Sequence, residues 1–265
     1  MVFKIDFVLQ LMKLNYKRIG AGEPLVILHG LFGSLDNWMS IAKVLGEHFE
    51  VFMVDQRNHG QSPHSPEFNY EVMADDLYAF IIQHNIVHPI ILGHSMGGKT
   101  AMQFAMNYPT QLSKLIVADI APKSYPVHHR QIIDSLYQLN FDQLKTRGEA
   151  NKELIPFIPD ESTRQFLLKN LYWVEKSKLA WRFNLPIIDQ NIETIGEGLK
   201  NLNVFDKPTL FIRGERSNYI LEADYNSIKE IFIQADIQTI KNSGHWVHAE
   251  NPSEFLSVLS AFLLT

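Results

Sequence analysis

The chain of 265 residues contains no cysteine. Disulfides, thiolate metal sites and cysteine nucleophiles are thereby excluded. The same absence suits a reducing compartment, so the cytoplasm is the expected location. A charge excess is missing too: 24 Lys and Arg stand against 29 Asp and Glu, a formal net charge of −5. A nucleic acid or anionic membrane partner calls for a basic face, and no run of Lys and Arg advertises one. No apolar stretch is long enough to span a bilayer. The opening "MVFKIDFVLQL" is interrupted by Lys4 and Asp6 and has no small-residue cleavage site after it. It does not read as a signal peptide. Residues 1–11 are either an added β-strand or an extension from a start upstream of Met12. Repeats and low-complexity segments are absent.

What is present is a rhythm. "PLVILHG" (24–30), "FEVFMVD" (49–55), "PIILGH" (89–94), "KLIVADI" (114–120) and "PTLFIRG" (208–214) are near-continuous apolar runs. Strands buried on both faces have this composition. "ADIQTIKNS" (235–243) alternates and fits an edge strand, and alternation also marks the stretch after Met12. Helical patterns lie near 37–47, 70–85, 97–107, 220–233 and 252–263, with Pro252 suited to a helix start. Between Pro122 and about Asn203 no strand-like run occurs, and a segment that long is not expected to be a plain loop. The expected fold class is therefore α/β, a mostly parallel central sheet flanked by helices. Residues 1–121 and 204–265 form the core, and residues 122–203 form a helical cap inserted before the penultimate strand.

"GHSMG" (93–97) stands directly after an apolar strand and before a helical pattern. A tight strand-to-helix turn holds such a serine in a strained backbone, and glycines on both sides let the chains pass closely. The helix N-terminus beneath it supplies partial positive charge for a developing oxyanion. Ser95 is thus the candidate nucleophile. Backbone N–H groups of Met96 and, after His29-Gly30, of Leu31 are the candidate oxyanion hole. "NSGHWVHAENP" follows the last strand, which places His245 to reach Ser95 as general base. His248 falls nearer the next helix and reads as structural, as does His29. In "DQRNHGQS" (55–62), Asp55 and Arg57 are expected to tie together the loops at the strand ends.

The acid is missing from its usual place. "KPTLFIRGERSNYI" ends a strand where Gly, two residues and then Asp are expected, but Ser217 follows Gly214-Glu215-Arg216. The motifs "HGLFGSLDNW", "DQRNHGQS", "GHSMGGKT", "ADIAP", "WRFNLP" and "GHWVHAENP" together resemble the α/β-hydrolase superfamily. More narrowly they resemble the YbfF-type esterases, a group that includes the abhydrolase-domain-11 type. The resemblance runs from about Met12 to the end. It implies an α/β-hydrolase fold and hydrolysis of carboxylic esters and acyl-CoA thioesters through a Ser-His-Asp triad. No cofactor is expected, and no metal either, since cysteine is absent and the histidines show no HExxH-like spacing. In that strand order the strand ending near Asp119 neighbours the one ending at Gly214, close enough for one strand end to serve for the other. Asp119 is then the acid and Ser217 its auxiliary. Glu215 lies two residues early and should point away; Glu222 and Asp224 lie too far along. A non-hydrolytic or carbon–carbon-cleaving use of the same machinery, as in menaquinone-pathway lyases, is the alternative; a ligand-binding hydrolase fold with a dead triad is a further one, against which the intact serine and histidine motifs argue.

The insertion is rich in aromatics: Tyr125, Phe157, Tyr172, Trp173, Trp181 and Phe183. Most are expected to glue it to the core, with a few lining an acyl pocket. His128-His129-Arg130 and Arg182 are either a solvated basic turn or a contact for a CoA phosphate. The expected partner is thus a small-molecule acyl ester or acyl-CoA. Because the candidate base is committed to a serine, turnover of a simple ester should be unchanged after EDTA treatment and dialysis. Loss that added zinc or manganese restores would contradict the triad.

Overall fold

The computed structural model describes residues 12–126, 129–176 and 178–264. The question posed by residues 1–11, and His128, lie outside the described residues. In chain order the strands are β1 (Tyr16–Ile19), β2 (Glu23–Leu28), β3 (Phe49–Val54), β4 (Ile90–His94) and β5 (Lys114–Ala118). They continue with β6 (Leu171–Glu175), β7 (Lys178–Trp181), β8 (Thr209–Gly214) and β9 (Ala235–Ile240). Seven of these make one sheet in the order β1-β3-β2-β4-β5-β8-β9. Among the described residues of this sheet, only β1 runs antiparallel to its neighbour and the other pairings are parallel. The alternating 235–243 segment lies at the edge, as its half-polar pattern demands.

The helices of the core are α1 (Met39–Leu45), α2 (Tyr70–Gln83) and α3 (Met96–Asn107). The segment after β5 adds α4 (Arg130–Tyr137), α5 (Arg147–Leu154), α6 (Glu161–Leu168), α7 (Leu185–Gln190) and α8 (Ile192–Gly196). The chain then closes with α9 (Tyr225–Ile231), α10 (Val247–Glu250) and α11 (Pro252–Leu263). Starts are capped locally: the Asn69 side chain accepts from the Val72 N–H at 3.0 Å, and Pro252 opens α11 behind the capping Asn251. Successive strand residues point to opposite faces, so each continuous apolar run feeds two layers. Leu25 and Ile27 pack with Ile41 and Leu45 of α1 and Phe255 and Leu259 of α11. Val26 and Leu28 pack with Leu77 and Phe80 of α2 and Met102 and Phe104 of α3.

The inserted segment departs from expectation in one respect. It is not wholly helical, because β6 and β7 pair antiparallel as a separate two-stranded ribbon. Each is only four or five residues long, with Leu171 and Leu179 buried and the other strand residues half-buried or exposed. Runs so short carry little periodicity, and pairing with each other is what makes them strands. The segment buries its own apolar cluster, including Ile133, Leu136, Leu154, Leu167 and Ile188, together with Leu31, Phe32 and Met96 of the sheet side. Polar ties fasten it down, among them Asn170 Nδ2 to the Phe32 carbonyl, Tyr70 Oη to the Ile195 carbonyl, Lys99 Nζ to the Glu197 carbonyl and the Asn184 N–H to the Asn58 carbonyl. No helix among the described residues is long and apolar enough to cross a membrane.

The turn after β3 is held by a buried ion pair. Arg57 donates through Nε to Asp76 Oδ2 at 2.5 Å and through Nη2 to Oδ1 at 2.8 Å. A third donor of Arg57 reaches the Glu67 carbonyl. Burial pushes the Asp76 carboxyl above its usual range, against the pull of Arg57. Removing the guanidinium alone leaves an uncompensated buried carboxylate. Arg57→Leu should therefore cost about 3–5 kcal/mol in urea unfolding, with much of the loss recovered in the Arg57→Leu/Asp76→Leu double variant.

Candidate active site

β4 ends at His94, and Ser95 makes the turn into α3 with φ 53° and ψ −118°. That backbone lies outside the regions open to most residues and costs about 1–3 kcal/mol. It survives because the surroundings leave no alternative. A Cβ on Gly93 would stand 2.1 Å from the Gly97 carbonyl oxygen, and one on Gly97 would stand 2.5 Å from that of Leu28. Only glycines permit this crossing. The Ser95 N–H is itself engaged, donating to the Ala118 carbonyl at 3.0 Å.

His94 of β4 is in register with Ala118 of β5, so Ser95 and Asp119 leave neighbouring strands at the same level. Ala118 is in turn in register with Ile212 of β8, two residues before Gly214. Asp119 is fully buried with φ 51°. Its Oδ1 accepts the Gly214 N–H at 2.9 Å. Its Oδ2 accepts the Ser217 hydroxyl in a short hydrogen bond and faces His245 Nδ1 at 2.8 Å. Ser217 Oγ takes the Tyr219 N–H at 3.2 Å, which leaves its own proton for Asp119. His245 follows β9, and its Nε2 stands 3.0 Å from Ser95 Oγ.

His245 is held at two further points, its ring and its backbone. The Tyr219 ring stacks on it at 3.9 Å and 18°, and His94 Nε2 lies 2.8 Å from its carbonyl oxygen. His94 is held neutral, its pKa well below the usual value, by burial first and then by the nearby His245 and His248. His29 and His248, which also border the site, are held neutral by burial. Gln56 N–H donates to His29 Nε2 at 3.0 Å, so His29 Nδ1 carries the proton and donates to the Gly30 carbonyl. Burial lowers its pKa to about 4. His248 stacks on Trp38 at 4.1 Å, and burial lowers it to about 3. Asp55 accepts from the Leu35 N–H at 2.8 Å, and His59 Nε2 accepts from the Phe32 N–H at 3.2 Å. The 55–62 turn thus fixes the loop that carries Leu31.

Leu31 and Met96 are buried next to Ser95, and among the described residues neither N–H has an intramolecular acceptor. Among the described residues, two cavities open beside Ser95. The wider, about 250 Å³, is lined by His245, Trp246, Phe166 and Ile132 among others. The narrower, about 40 Å³, is lined by Met96, Lys99, Ile120, Tyr125 and Ile195. Of the six aromatics noted in the insertion, Tyr125 alone lines either cavity. Trp181 and Phe183 stack on each other, while Phe157 and Trp173 are exposed. Arg130 is paired with Asp189 at 2.5 Å and Arg182 lies over the Tyr172 ring.

The model of the alpha/beta hydrolase fold family matches residues 23–252. The chain belongs to that family. Among members of the α/β-hydrolase fold family it is 36% identical to the esterase YbfF of Escherichia coli, over 95% of this chain and 99% of that one. It is 37% identical to mouse (Mus musculus) sn-1-specific diacylglycerol lipase ABHD11, over 90% of this chain and 80% of the lipase. A solved structure described as a marine microorganism esterase superposes with a TM-score of 0.93 at 43% identity, covering 95% of this chain and 99% of that one.

The structure brings Ser95, His245, Asp119 and Ser217 into one hydrogen-bonded chain and sets Leu31 and Met96 beside the serine. Glu215 does point elsewhere, accepting from the Asn242 N–H at 2.8 Å. Asp224 is paired with Lys123 at 2.6 Å, and Glu222 is exposed. Sequence reasoning passed over Tyr219, His94 and the Gly214 N–H. His94 sits inside the serine motif itself, but nothing local in the sequence marks a residue that acts through another loop's carbonyl. Hydrogen bonds to a charged group contribute about 1.5–3 kcal/mol, so Ser217→Ala should lower ester turnover by at most about 100-fold. Asp119→Asn should fold normally and lose about 10⁴-fold, since an amide neither stabilises imidazolium nor enforces its tautomer. Paired kcat measurements with circular dichroism check both.

Proposed function

We propose that the chain is a serine esterase acting on carboxylic esters, with Ser95 as nucleophile, His245 as base and Asp119 as acid. The observation that supports this best is the continuous path from Ser95 Oγ through both nitrogens of His245 to a buried carboxylate. Ser95 Oγ attacks the carbonyl carbon while its proton passes to His245 Nε2. The carbonyl oxygen becomes an oxyanion, held by the Leu31 and Met96 N–H groups. Collapse breaks the bond to the leaving oxygen, which takes the proton from His245 and departs as alcohol. Water, deprotonated by the same imidazole, then releases the acid and restores Ser95. Asp119 keeps Nδ1 protonated and stabilises the imidazolium; Ser217 and Gly214 hold that carboxylate in place.

Acyl-CoA thioesters are open to the same steps and belong to the proposal as a second substrate group. The basic side chains suggested for a CoA phosphate favour simple esters first, since Arg130 is taken by Asp189 and Arg182 lies over Tyr172. Residues 122–203 act as the cap over the site, and the cysteine-free chain works in the cytoplasm. A fluorophosphonate probe should add one covalent label per chain. Ser95→Ala should lose the label and lower turnover by several orders of magnitude. Stoichiometric labelling of the Ala variant would refute the assignment.

A further inference from the structure

The two cavities beside Ser95 differ in more than size. His245 lines the wide one and not the narrow one, whereas Met96 lines the narrow one and not the wide one. A tetrahedral intermediate on Ser95 has four substituents, and three have assigned directions. One is Ser95 Oγ, one is the oxyanion facing the Leu31 and Met96 N–H groups, and one is the leaving oxygen. The leaving oxygen must lie within reach of His245 Nε2 to take its proton. It therefore points into the wide cavity. The fourth substituent, the carbon chain of the acyl group, is left with the side that Met96 borders.

From this geometry, and resting on the esterase reading above, we infer that the enzyme selects short acyl groups carried on bulky apolar alcohols. One water-sized occupant needs about 10–15 Å³ of such space. The narrow cavity, at about 40 Å³, holds only a few water-sized occupants and so favours a short acyl chain. The wide one offers about 250 Å³, bordered by Ile132, Phe166 and Trp246, and suits a much larger leaving group. The narrow cavity is also poorly able to stretch. Ile120, Ile192 and Ile195 are buried in its wall. Tyr70 Oη donates to the Ile195 carbonyl at 2.8 Å and Lys99 Nζ to the Glu197 carbonyl at 2.5 Å, so α2 and α3 clamp α8 against it. A packed wall of this kind resists extra methylenes.

Two ester series on the purified full chain test the inference. In the first, 1-naphthol is kept constant and the acyl group runs through acetyl, butyryl, hexanoyl and octanoyl. In the second, acetyl is kept constant and the alcohol runs through ethanol, hexanol and 1-naphthol. The expected kcat/KM falls at least about tenfold from butyrate to octanoate, and holds or rises from ethyl to naphthyl acetate. Ile195→Ala and, separately, Ile192→Ala should each raise the ratio of octanoate to acetate turnover. Octanoate turned over as fast as acetate by the unaltered enzyme overturns the inference and leaves the esterase reading intact. So does an unchanged ratio in whichever of the two variants folds. Absence of turnover across both series, with Ser95 unlabelled by a fluorophosphonate, overturns the esterase reading and this inference with it.

Discussion

A carboxylate buried at the exit of β5 is the constraint around which the rest of the site is built. Taking such a charge out of water costs several kcal/mol unless donors replace the lost hydration. Asp119 finds its donors on three separate pieces of chain: the backbone at the end of β8, the hydroxyl of the loop after it, and the imidazole beyond β9. Satisfying one charge therefore fixes the relative positions of two strand ends and a loop. His245 is held where it can face Ser95 because the other edge of its ring answers to Asp119.

The second device is a local one. β4 and β5 release Ser95 and Asp119 at the same level of the sheet, both in left-handed backbone conformations. A parallel sheet supplies this alignment without design of the individual loops, since neighbouring strands end together and their exits share one edge. The strain at Ser95 is tolerated because the glycines on either side let β2, β4 and α3 approach too closely for a relaxed turn. What results is a hydroxyl lifted clear of the sheet, half-exposed beside two cavities that differ about sixfold in size.

The inserted segment adds the walls. Its apolar cluster includes Leu31 and Met96, so the two backbone donors beside Ser95 are packed from above by residues far along the chain. Polar ties through Tyr70, Lys99 and Asn170 close this contact. The Phe32 and Ile195 carbonyls that Asn170 and Tyr70 reach belong to buried residues, which burial would otherwise leave short of a partner. Loss of one tie would be felt as a change in cavity shape before any change in the hydrogen-bonded chain from Ser95 to Asp119.

Much of this was legible in the residues before any coordinates. The continuous apolar runs mark β2 to β5 and β8 as strands covered on both faces, and the alternation of 235–243 marks β9 as the edge, because burial dictates composition residue by residue. The motif around Ser95 is equally local: a serine between obligatory glycines, after a strand and before a helix. Other features have no local signature. That Asp119 lies against Ser217 depends on β5 and β8 being neighbours, a fact of strand order across 98 residues of chain. The stacking of Tyr219 on His245, the narrowness of the cavity under α8 and the pairing of β6 with β7 are likewise decided by what packs against what. A sequence states each residue's preference for water or for its own kind. Which distant residue satisfies that preference is settled only when the whole chain is closed.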